Sequence, residues 1–200
     1  MNQQRRDSLA DAGIELLAEQ GAHGLSHRAV DDRARVPKGT TSNYFRSRDA
    51  LLAAAAERII ELHFAWLDEI RARHRGELDR ERLIEIMAEV VEQALGHYRP
   101  RYLAMFELSL ESTRRPQLAE ALGRIADTSL QLTHGAHLGS GVEPTRLDIA
   151  LLHVFYNGML FSSLVIPKTL GKGSPRTLVR TMLDRVLPPE KPARRGRKAG

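Results

Sequence analysis

The stretch LSHRAVDDRARVPKGTTSNYFRSRDAL, residues 25–51, determines the fold class of this chain. It predicts two short helices joined by a tight turn and followed by the start of a long helix. Ser26 is of a type that caps helix N-termini, and Val30 and Ala34 share one face of the first short helix. Pro37 has the fixed φ that suits a first helical position. The turn between the two helices therefore falls just before this proline.

The second short helix, predicted at residues 38–44, presents mainly side chains that donate hydrogen bonds. A short polar helix held by a small apolar helix is the form of a helix-turn-helix unit, which reads the major groove of DNA. The sequence therefore predicts DNA binding by this segment.

Residues 5–55 resemble the TetR family of bacterial transcriptional regulators. The matching features are an amphipathic first helix that ends at residues 19–21, the turn and helix start at residues 36–40, and the segment at residues 43–51. One position departs from the pattern, since Arg35 stands where the family usually has glycine. A positive φ there would cost an arginine roughly 1 kcal/mol. Beyond residues 5–55 the resemblance is one of architecture.

The resemblance implies that the helix at residues 38–44 enters the major groove and that Tyr44 contacts a phosphate. Arg48 stands where the family usually keeps a phosphate-binding lysine. The side-chain chemistry agrees, because Lys38 can reach a phosphate or a guanine edge and Asn43 can pair with adenine. The alternative for each residue is an ordinary solvated helix face. The predicted DNA-binding residues are Ser26, His27, Arg28, Pro37, Lys38, Gly39, Thr40, Thr41, Ser42, Asn43, Tyr44 and Arg48.

Three further features support this surface. Thr41 is of a type that touches a thymine methyl group. Gly39 is costly inside a short helix, but its missing side chain permits close approach of the backbone to DNA. Ser26, His27 and Arg28 begin a helix whose free amides favour a phosphate.

The amino-acid composition excludes several kinds of site and shows where the net charge lies. Cysteine is absent, which excludes a disulfide framework, a thiolate metal site and a cysteine nucleophile. Residues 188–200 hold five basic residues and one acid and so carry most of the net charge of +5. The prediction of DNA binding therefore depends on local placement rather than on overall charge. Arg5, Arg6 and Asp7 interrupt any apolar signal segment, so a cytoplasmic location is expected.

Helical periodicity continues along the chain without an alternating strand pattern, and the predicted fold class is all-α. The longer helices are predicted at about residues 4–20, 48–76, 79–97, 101–113, 116–138, 144–166 and 175–187. The predicted domains are a helix-turn-helix DNA-binding domain at residues 1–47, a helical-bundle ligand-binding and dimerisation domain at residues 48–187, and a basic disordered tail at residues 188–200.

The helix predicted at residues 144–166 is apolar on nearly every side from Ile149 to Ile166. A membrane span usually needs about 20 apolar residues, and His153 and Asn157 interrupt this run. A helix that is apolar all round is more often buried, and a second copy of the chain is its natural partner. A homodimer without membrane contact is therefore predicted, with the interface residues Leu151, Val154, Phe155, Leu160, Leu164, Leu178, Met182 and Val186.

Aromatic and methionine side chains with a few hydroxyls are typical of small-molecule pockets, although plain core packing is the alternative. The resemblance implies such a pocket in the C-terminal half, where a small hydrophobic or aromatic effector tilts the fourth helix and releases DNA. Pro100 separates two helices there and makes room for a cavity. The predicted ligand-binding residues are Trp66, Met87, Val91, Tyr98, Tyr102, Met105, Phe106, Ser109, Phe155 and Met159.

The predicted function is a ligand-responsive regulator that binds a palindromic operator as a dimer, with repression favoured by the family and with no cofactor or enzymatic activity. Two alternatives stay open: a non-specific architectural DNA-binding protein that acts through the basic tail, and a helical-bundle enzyme. For the enzyme, His134 and His137 form a possible metal pair, and Glu107 and Glu111 possible paired carboxylates. A surface histidine pair and a charged helix face explain them more simply, since the Glu-x-x-His repeat of di-iron bundles is absent.

Overall fold

The computed structural model describes residues 2–74, 79–137, 144–171 and 173–187, and these ranges contain nine α-helices and no strand. The helices are α1 (Gln3–Gly24), α2 (His27–Arg33), α3 (Thr40–Tyr44), α4 (Arg48–Arg73), α5 (Arg80–Leu95), α6 (Arg99–Ser112), α7 (Pro116–His137), α8 (Arg146–Val165) and α9 (Pro175–Val186). The all-α prediction is confirmed. The predicted end of the fourth helix at Gly76 and the tail at residues 188–200 lie outside the described residues.

Short polar side chains begin several helices, as the sequence predicts. The hydroxyl of Ser26 accepts a hydrogen bond from the backbone N–H of Ala29, and that of Ser47 accepts one from Ala50, both at 3.1 Å. These bonds satisfy amides that a helix N-terminus leaves without an intrahelical partner. Pro100 lies in the first turn of α6, where its missing N–H costs nothing.

Helix α1 breaks at Gly21, which has φ 69° and ψ −175°. The left-handed φ favours glycine, and a Cβ at this position would lie 3.2 Å from Oε2 of Glu107 on α6. The same carboxylate accepts a hydrogen bond from the backbone N–H of Ala22 at 3.2 Å. The predicted stop at Gly21 is therefore present, and α6 contacts the chain directly after it.

One apolar core joins the N-terminal helices to the bundle. Buried residues of α1, α2 and α4 pack together with Ala104 and Leu108 of α6 and Leu118 of α7. The division predicted between residues 47 and 48 stays a prediction, and core packing crosses it. A second core lies among α5, α8 and α9, around Ile84, Leu152 and Leu183.

Helix α8 has two apolar sides with different environments. Leu160 and Leu164 are buried within the chain, as is Met182 of α9, so the prediction that these three form an intersubunit surface is wrong. Their side chains fill space between α8, α9 and the rest of the bundle. The opposite side is exposed, with Val154 67% and Phe155 52% accessible.

The exposed set on and just after α8 comprises Leu147, Leu151, Val154, Phe155, Phe161, Val165 and Ile166. Leu178 and Val186 of α9 are partly buried and pack on the second core. Among the described helices, α8 is the one that is long and apolar enough to cross a membrane by length and composition alone. The core and interface helices of other proteins meet the same criterion.

Candidate functional site

Asp31 of α2 holds the turn and the start of α3 together. Its carboxylate is 2% exposed, and Oδ1 accepts hydrogen bonds from the backbone N–H and the hydroxyl of Thr41 at 2.7 and 2.5 Å. Oδ2 accepts one from the backbone N–H of Gly39 at 2.7 Å. Helix α3 has no capping side chain of its own, so Asp31 supplies the acceptor that its first amides need.

Sequence reasoning missed Asp31. A signal was present, because a short helix that begins without a Ser, Thr, Asp or Asn cap requires an acceptor from elsewhere. Asp31 is the acid beside the inward-facing Val30, eight residues before Gly39.

Helix α3 begins two residues later than the predicted start at residue 38. Pro37 and Lys38 precede the helix, and Gly39 is its N-cap with φ 88° rather than an interior residue. This left-handed φ accounts for glycine here, and the close approach of its backbone to DNA stays a prediction. The prediction that Thr41 faces outward to a thymine is wrong, because the side chain is 0% exposed and its hydroxyl binds Asp31.

The turn between α2 and α3 contains a strained arginine. Arg35 has φ 54° and is the one non-glycine residue with a positive φ in the part of the chain that the structure describes. The backbone N–H of Val36 donates to the carbonyl of Asp31 at 3.0 Å and closes the turn. The departure noted in the sequence therefore costs this arginine roughly 1 kcal/mol of strain.

Lys38, Ser42 and Asn43 are exposed, and Thr40 and Tyr44 are half-buried. The hydroxyl of Ser42 donates to the Gly39 carbonyl at 2.9 Å, and that of Thr40 donates to the Pro37 carbonyl at 2.6 Å, so each keeps its oxygen as an acceptor. The ring of Tyr44 packs against the first core.

The start of α2 lies against the end of α3. Nε2 of His27 lies 2.7 Å from the carbonyl oxygen of Phe45, so the ring is used inside the protein and leaves the helix amides for a phosphate. Arg28 in the first turn of α2 and Arg46 just after α3 are exposed. The sequence prediction included Arg28 and missed Arg46.

Arg48 takes a structural position. Its guanidinium donates to the carbonyl of Leu25 at 3.2 Å and to the carbonyl of Ala22, and the side chain is half-buried. These carbonyls follow the break in α1 and need donors, as helix C-termini generally do. Arg48 therefore connects α4 to the junction of α1 and α2. Its guanidinium is engaged within the protein, so the prediction that it contacts a phosphate is wrong.

The charges of this surface are uncompensated. Within the described ranges, Arg28, Arg35, Lys38 and Arg46 have no carboxylate within salt-bridge distance. By contrast, the guanidinium of Arg33 is paired with two glutamates of α1, at 3.0 and 2.5 Å. Cations left without a protein partner are available to phosphates, which supply most of the affinity of proteins for DNA.

The predicted ligand-binding residues divide into three groups. Phe155 is exposed on α8, and Ser109 is exposed with its hydroxyl donating to the Met105 carbonyl, so the prediction that these two line an internal pocket is wrong. Met105 packs against the first core. The others lie in the second core or in a third, smaller one, and these are Trp66, Met87, Val91, Tyr98, Tyr102, Phe106 and Met159.

Part of the last group belongs to a polar and aromatic cluster between α4, α6 and α8. We name it the bundle cluster, and its members are His63, Trp66, Tyr98, Arg101, Tyr102 and Tyr156. The ring centroids of Trp66 and Tyr98 are 4.7 Å apart, and those of His63 and Tyr102 are 6.1 Å apart at an interplanar angle of 89°. The Tyr102 hydroxyl lies 3.4 Å from Nδ1 of His63.

Burial changes the acid–base properties of the bundle cluster. Burial, and then the charge of Arg101, lowers the pKa of His63 to about 4, so its ring is neutral at pH 7. Burial raises the pKa of Tyr102 to about 12 and that of Tyr156 well above its usual value. Sequence reasoning missed His63, Arg101 and Tyr156. The one signal was the shared helix face of Tyr98, Arg101 and Tyr102.

The two carboxylates considered for catalysis are used within the fold. Glu107 binds the Ala22 amide, and Glu111 accepts hydrogen bonds from Arg114 and Arg115 at 2.8 Å each. Hydrogen bonds from Arg115 and then Arg114 lower the pKa of Glu111. The side chains of His134 and His137 lie outside the described residues.

Two family models match the chain and together cover most of it. Residues 9–55 match the model described as "Bacterial regulatory proteins, tetR family". Residues 78–189 match the model described as "Tetracyclin repressor-like, C-terminal domain".

Two curated relatives match part of the chain. The chain is 31% identical over 121 residues to the HTH-type transcriptional regulator BetI of Paraburkholderia xenovorans (strain LB400), a match that covers 59% of this chain and 60% of BetI. It is 30% identical over 105 residues to the HTH-type transcriptional repressor NemR of Escherichia coli (strain K12), covering 52% of this chain and 43% of NemR. The matches thus span less than two thirds of these relatives.

Solved structures share the whole fold. A transcriptional regulator from Rhodococcus sp. Rha1 superposes with a TM-score of 0.77 at 22% identity, over 91% of this chain and 95% of that one. The multidrug binding protein EbrR complexed with ethidium gives a TM-score of 0.70 at 27% identity, over 91% of this chain and 98% of EbrR.

Proposed function

The chain belongs to the TetR family of bacterial regulatory proteins, and on this premise we propose that it is a cytoplasmic transcriptional repressor that binds a palindromic operator as a homodimer and releases it when a small ligand binds in the bundle. Members of this family are regulators of transcription and not enzymes. The observation that carries the proposal is the surface of α3, which Asp31 holds rigidly and which presents uncompensated cations and the exposed amide of Asn43.

Helix α3 enters the major groove in this proposal. Asn43 faces base edges, Lys38 contacts a phosphate or a guanine, and the Tyr44 hydroxyl contacts a phosphate. Arg28 lies at the start of α2 and Arg46 just after the end of α3, and the contact between His27 and Phe45 holds these two points together. Both arginines bind the sugar-phosphate backbone. Phosphate contacts fix the orientation of the unit, and base contacts give the specificity.

The exposed face of α8 is the proposed dimer interface. Leu147, Leu151, Val154, Phe161 and Val165 follow one another at spacings of three, four or seven residues and are exposed, which is the pattern of a helix that packs along another helix. Gly158 lies on the same stripe, and nothing lies within 4 Å of the position its Cβ would occupy. A two-fold axis near Gly158 would let two α8 helices approach closely and cover the apolar stripe.

The dimer sets the geometry of the operator. Two α3 helices must lie about 34–36 Å apart to reach successive major grooves, so the operator should contain an inverted repeat with that spacing. A ligand that tilts α4 changes the separation and weakens binding. Selection of bound sequences from a random DNA pool tests this directly. Equal recovery of all sequences would instead support non-specific architectural binding.

Lys38→Ala and Tyr44→Phe should each weaken operator binding while leaving the fold intact. Lys38 is exposed, and phenylalanine keeps the packing of the Tyr44 ring and removes only the hydroxyl. Loss of a base contact should cost about 1–3 kcal/mol at one operator position, whereas loss of a phosphate contact should weaken all sequences alike and reduce the salt slope by about 1. Titration of labelled operator at several salt concentrations separates the two.

The matched control for Lys38→Ala is Lys168→Ala, which removes an exposed lysine in the 3₁₀ turn between α8 and α9. It should bind operator as the unchanged protein does. Normal affinity in both Lys38→Ala and Tyr44→Phe would contradict the placement of α3 in the groove.

The effector site proposed for the regulator is the region of the bundle cluster, and its ligand is a small hydrophobic or aromatic molecule. The ethidium complex of EbrR, an aromatic ligand in a protein of the same fold, supports a ligand of this kind. Trp66 is the single tryptophan of the chain and belongs to the cluster, so its fluorescence should report binding.

The binding of ligand and the binding of DNA should be coupled reciprocally. If the ligand lowers the affinity for operator by a given factor, operator should lower the affinity for the ligand by the same factor. Titrations of ligand with and without operator, followed by Trp66 fluorescence, measure this factor. A ligand that changes the fluorescence but leaves operator affinity unchanged would contradict the switch and leave the DNA-binding proposal standing.

A further inference from the structure

Arg101 of α6 is a half-buried cation that forms no salt bridge with a carboxylate of the described residues. Among the described residues, its Nη1 atom is buried and makes no hydrogen bond. The guanidinium carbon lies 4.3 Å from the centroid of the Tyr98 ring, which stabilises the charge but accepts no hydrogen bond. A buried donor that lacks an acceptor is costly, and a ligand that supplies the acceptor would remove this cost.

The carboxylate of Asp11 on α1 does not meet this need. Burial lowers the pKa of Arg101, whereas the negative charge of Asp11 raises it. The Asp11 carboxylate, however, accepts a hydrogen bond from Nε of Arg58 at 2.8 Å. The charge of Asp11 is therefore shared with a second arginine, and Nη1 of Arg101 stays without an acceptor.

A second buried donor lies on α8. The Tyr156 hydroxyl lies beside that of Tyr102, and this weak contact is its one polar interaction among the described residues, so it stays available to a stronger acceptor. His63 is neutral and contributes no charge. The groups available to a ligand are thus the positive charge of Arg101 and two hydrogen-bond donors, and a carboxylate supplies a negative charge and two acceptor oxygens.

Aromatic rings lie beside the Arg101 guanidinium. It stacks on the Tyr98 ring, and Trp66 packs against Tyr98 with the ring centroids 4.7 Å apart. A ligand that pairs with Arg101 therefore places the rest of its structure against aromatic rings, which favour an apolar or aromatic body.

We propose that the effector is an organic carboxylate with an apolar or aromatic body, whose carboxylate binds the Arg101 guanidinium and the Tyr156 hydroxyl. The inference rests on the proposed function in that it assigns the effector site to the bundle, and it adds the charge of the ligand and the residues that select it. Neutral and cationic molecules with the same body are poor ligands, because they leave the Arg101 charge unpaired or repel it.

The test is isothermal titration calorimetry on the full chain with two matched series. One comprises 2-naphthylacetate, 2-naphthylacetamide and 2-(2-naphthyl)ethylammonium, and the other comprises octanoate, octanamide and octylammonium. We expect the carboxylate to bind at least about ten times more tightly than the amide in at least one series, and the ammonium to bind most weakly. Equal affinity for the amide, tighter binding of the ammonium, or no binding of either carboxylate would overturn the proposal.

Arg101→Met should reduce the affinity for the carboxylate to that for the amide, and Tyr156→Phe should weaken it several-fold. Arg99→Met is the matched control, because Arg99 is exposed on the same helix two residues away. If Arg101 is present for the ligand, Arg101→Met should unfold at the same temperature as the unchanged protein or at a higher one in the absence of ligand. A lower unfolding temperature, or an unchanged preference for the carboxylate, would show that Arg101 has a structural role instead.

Release of operator is measured separately, so that the two proposals can fail independently. A carboxylate that binds through Arg101 without releasing operator would contradict the switch and leave the anion site intact. Operator release by the amides as readily as by the carboxylates would contradict the anion site and leave the regulator intact.

Discussion

Asp31→Ala is expected to lower the free energy of unfolding by about 2–4 kcal/mol and to abolish operator binding. The substitution leaves the buried amide of Thr41, its hydroxyl and the amide of Gly39 without their acceptor. Because α3 has no other cap, its orientation relative to α2 is lost together with its stability. Thermal or denaturant unfolding measures the first effect and operator titration the second.

Asp32→Ala is the matched control, since Asp32 is the exposed neighbour on the same helix. It should change the stability by no more than about 0.5 kcal/mol. Similar losses of stability in the two variants would contradict the role given to Asp31.

The charge of Asp31 also predicts a pH dependence. Burial raises the pKa of this carboxyl, but the hydrogen bonds from Thr41 and Gly39 together outweigh it, and the net pKa is lowered. A depressed pKa in the folded state stabilises the protein above the pKa of the unfolded chain, and this contribution is lost as the pH falls through the folded value. Asp31→Asn should therefore lose stability at neutral pH and show a weaker acid dependence than the unchanged protein.

Val154→Glu is expected to convert the proposed dimer to a monomer. Val154 is 67% exposed on a single chain and would lie within the proposed α8 contact, one turn from Gly158, where each subunit would then bury a glutamate without a partner. Burial of an unpaired charge costs several kcal/mol per ion, so the dimer dissociation constant should rise by roughly a thousand-fold or more. Light scattering at micromolar concentration measures the mass.

The Val154→Glu protein should also have a lower affinity for the operator, because two monomers bind the two half-sites independently. Ala119→Glu adds the same charge on the exposed face of α7 and should leave both mass and operator affinity unchanged. A Val154→Glu protein that stays dimeric would place the interface elsewhere.

The features that the sequence predicted are those that local chemistry determines. Ser26 and Ser47 cap helices because each hydroxyl meets an amide three residues later, and Gly21 ends a helix because its own φ is positive. Arg35 stands where the resembled family usually has glycine, and its φ of 54° is the positive angle that this glycine position implied. In each case the cause lies within a few residues of the effect.

The features that the sequence did not reveal depend on the partner that a side chain meets. Thr41 has the composition of a base-reading residue, but it is buried because Asp31, ten residues earlier, binds it. Arg48 has the charge of a phosphate ligand, but two carbonyls after the break in α1 engage it. Hydropathy could identify α8 as apolar but could not say which side packs inside the chain, since Leu160 and Val154 are equally apolar.

Helix α6 joins the bundle cluster to the break in α1. Arg101 and Glu107 are six residues apart, about 9 Å along the helix axis, and Glu107 binds the amide of Ala22 directly after Gly21. An α-helix is stiff along its axis, so a ligand that displaces the Arg101 end moves Glu107 by a similar distance. The junction that positions α2 would then move as a rigid body. The signal would be carried by displacement rather than by melting of the DNA-binding unit, and hydrogen exchange in α2 and α3 would stay slow while the operator dissociates faster.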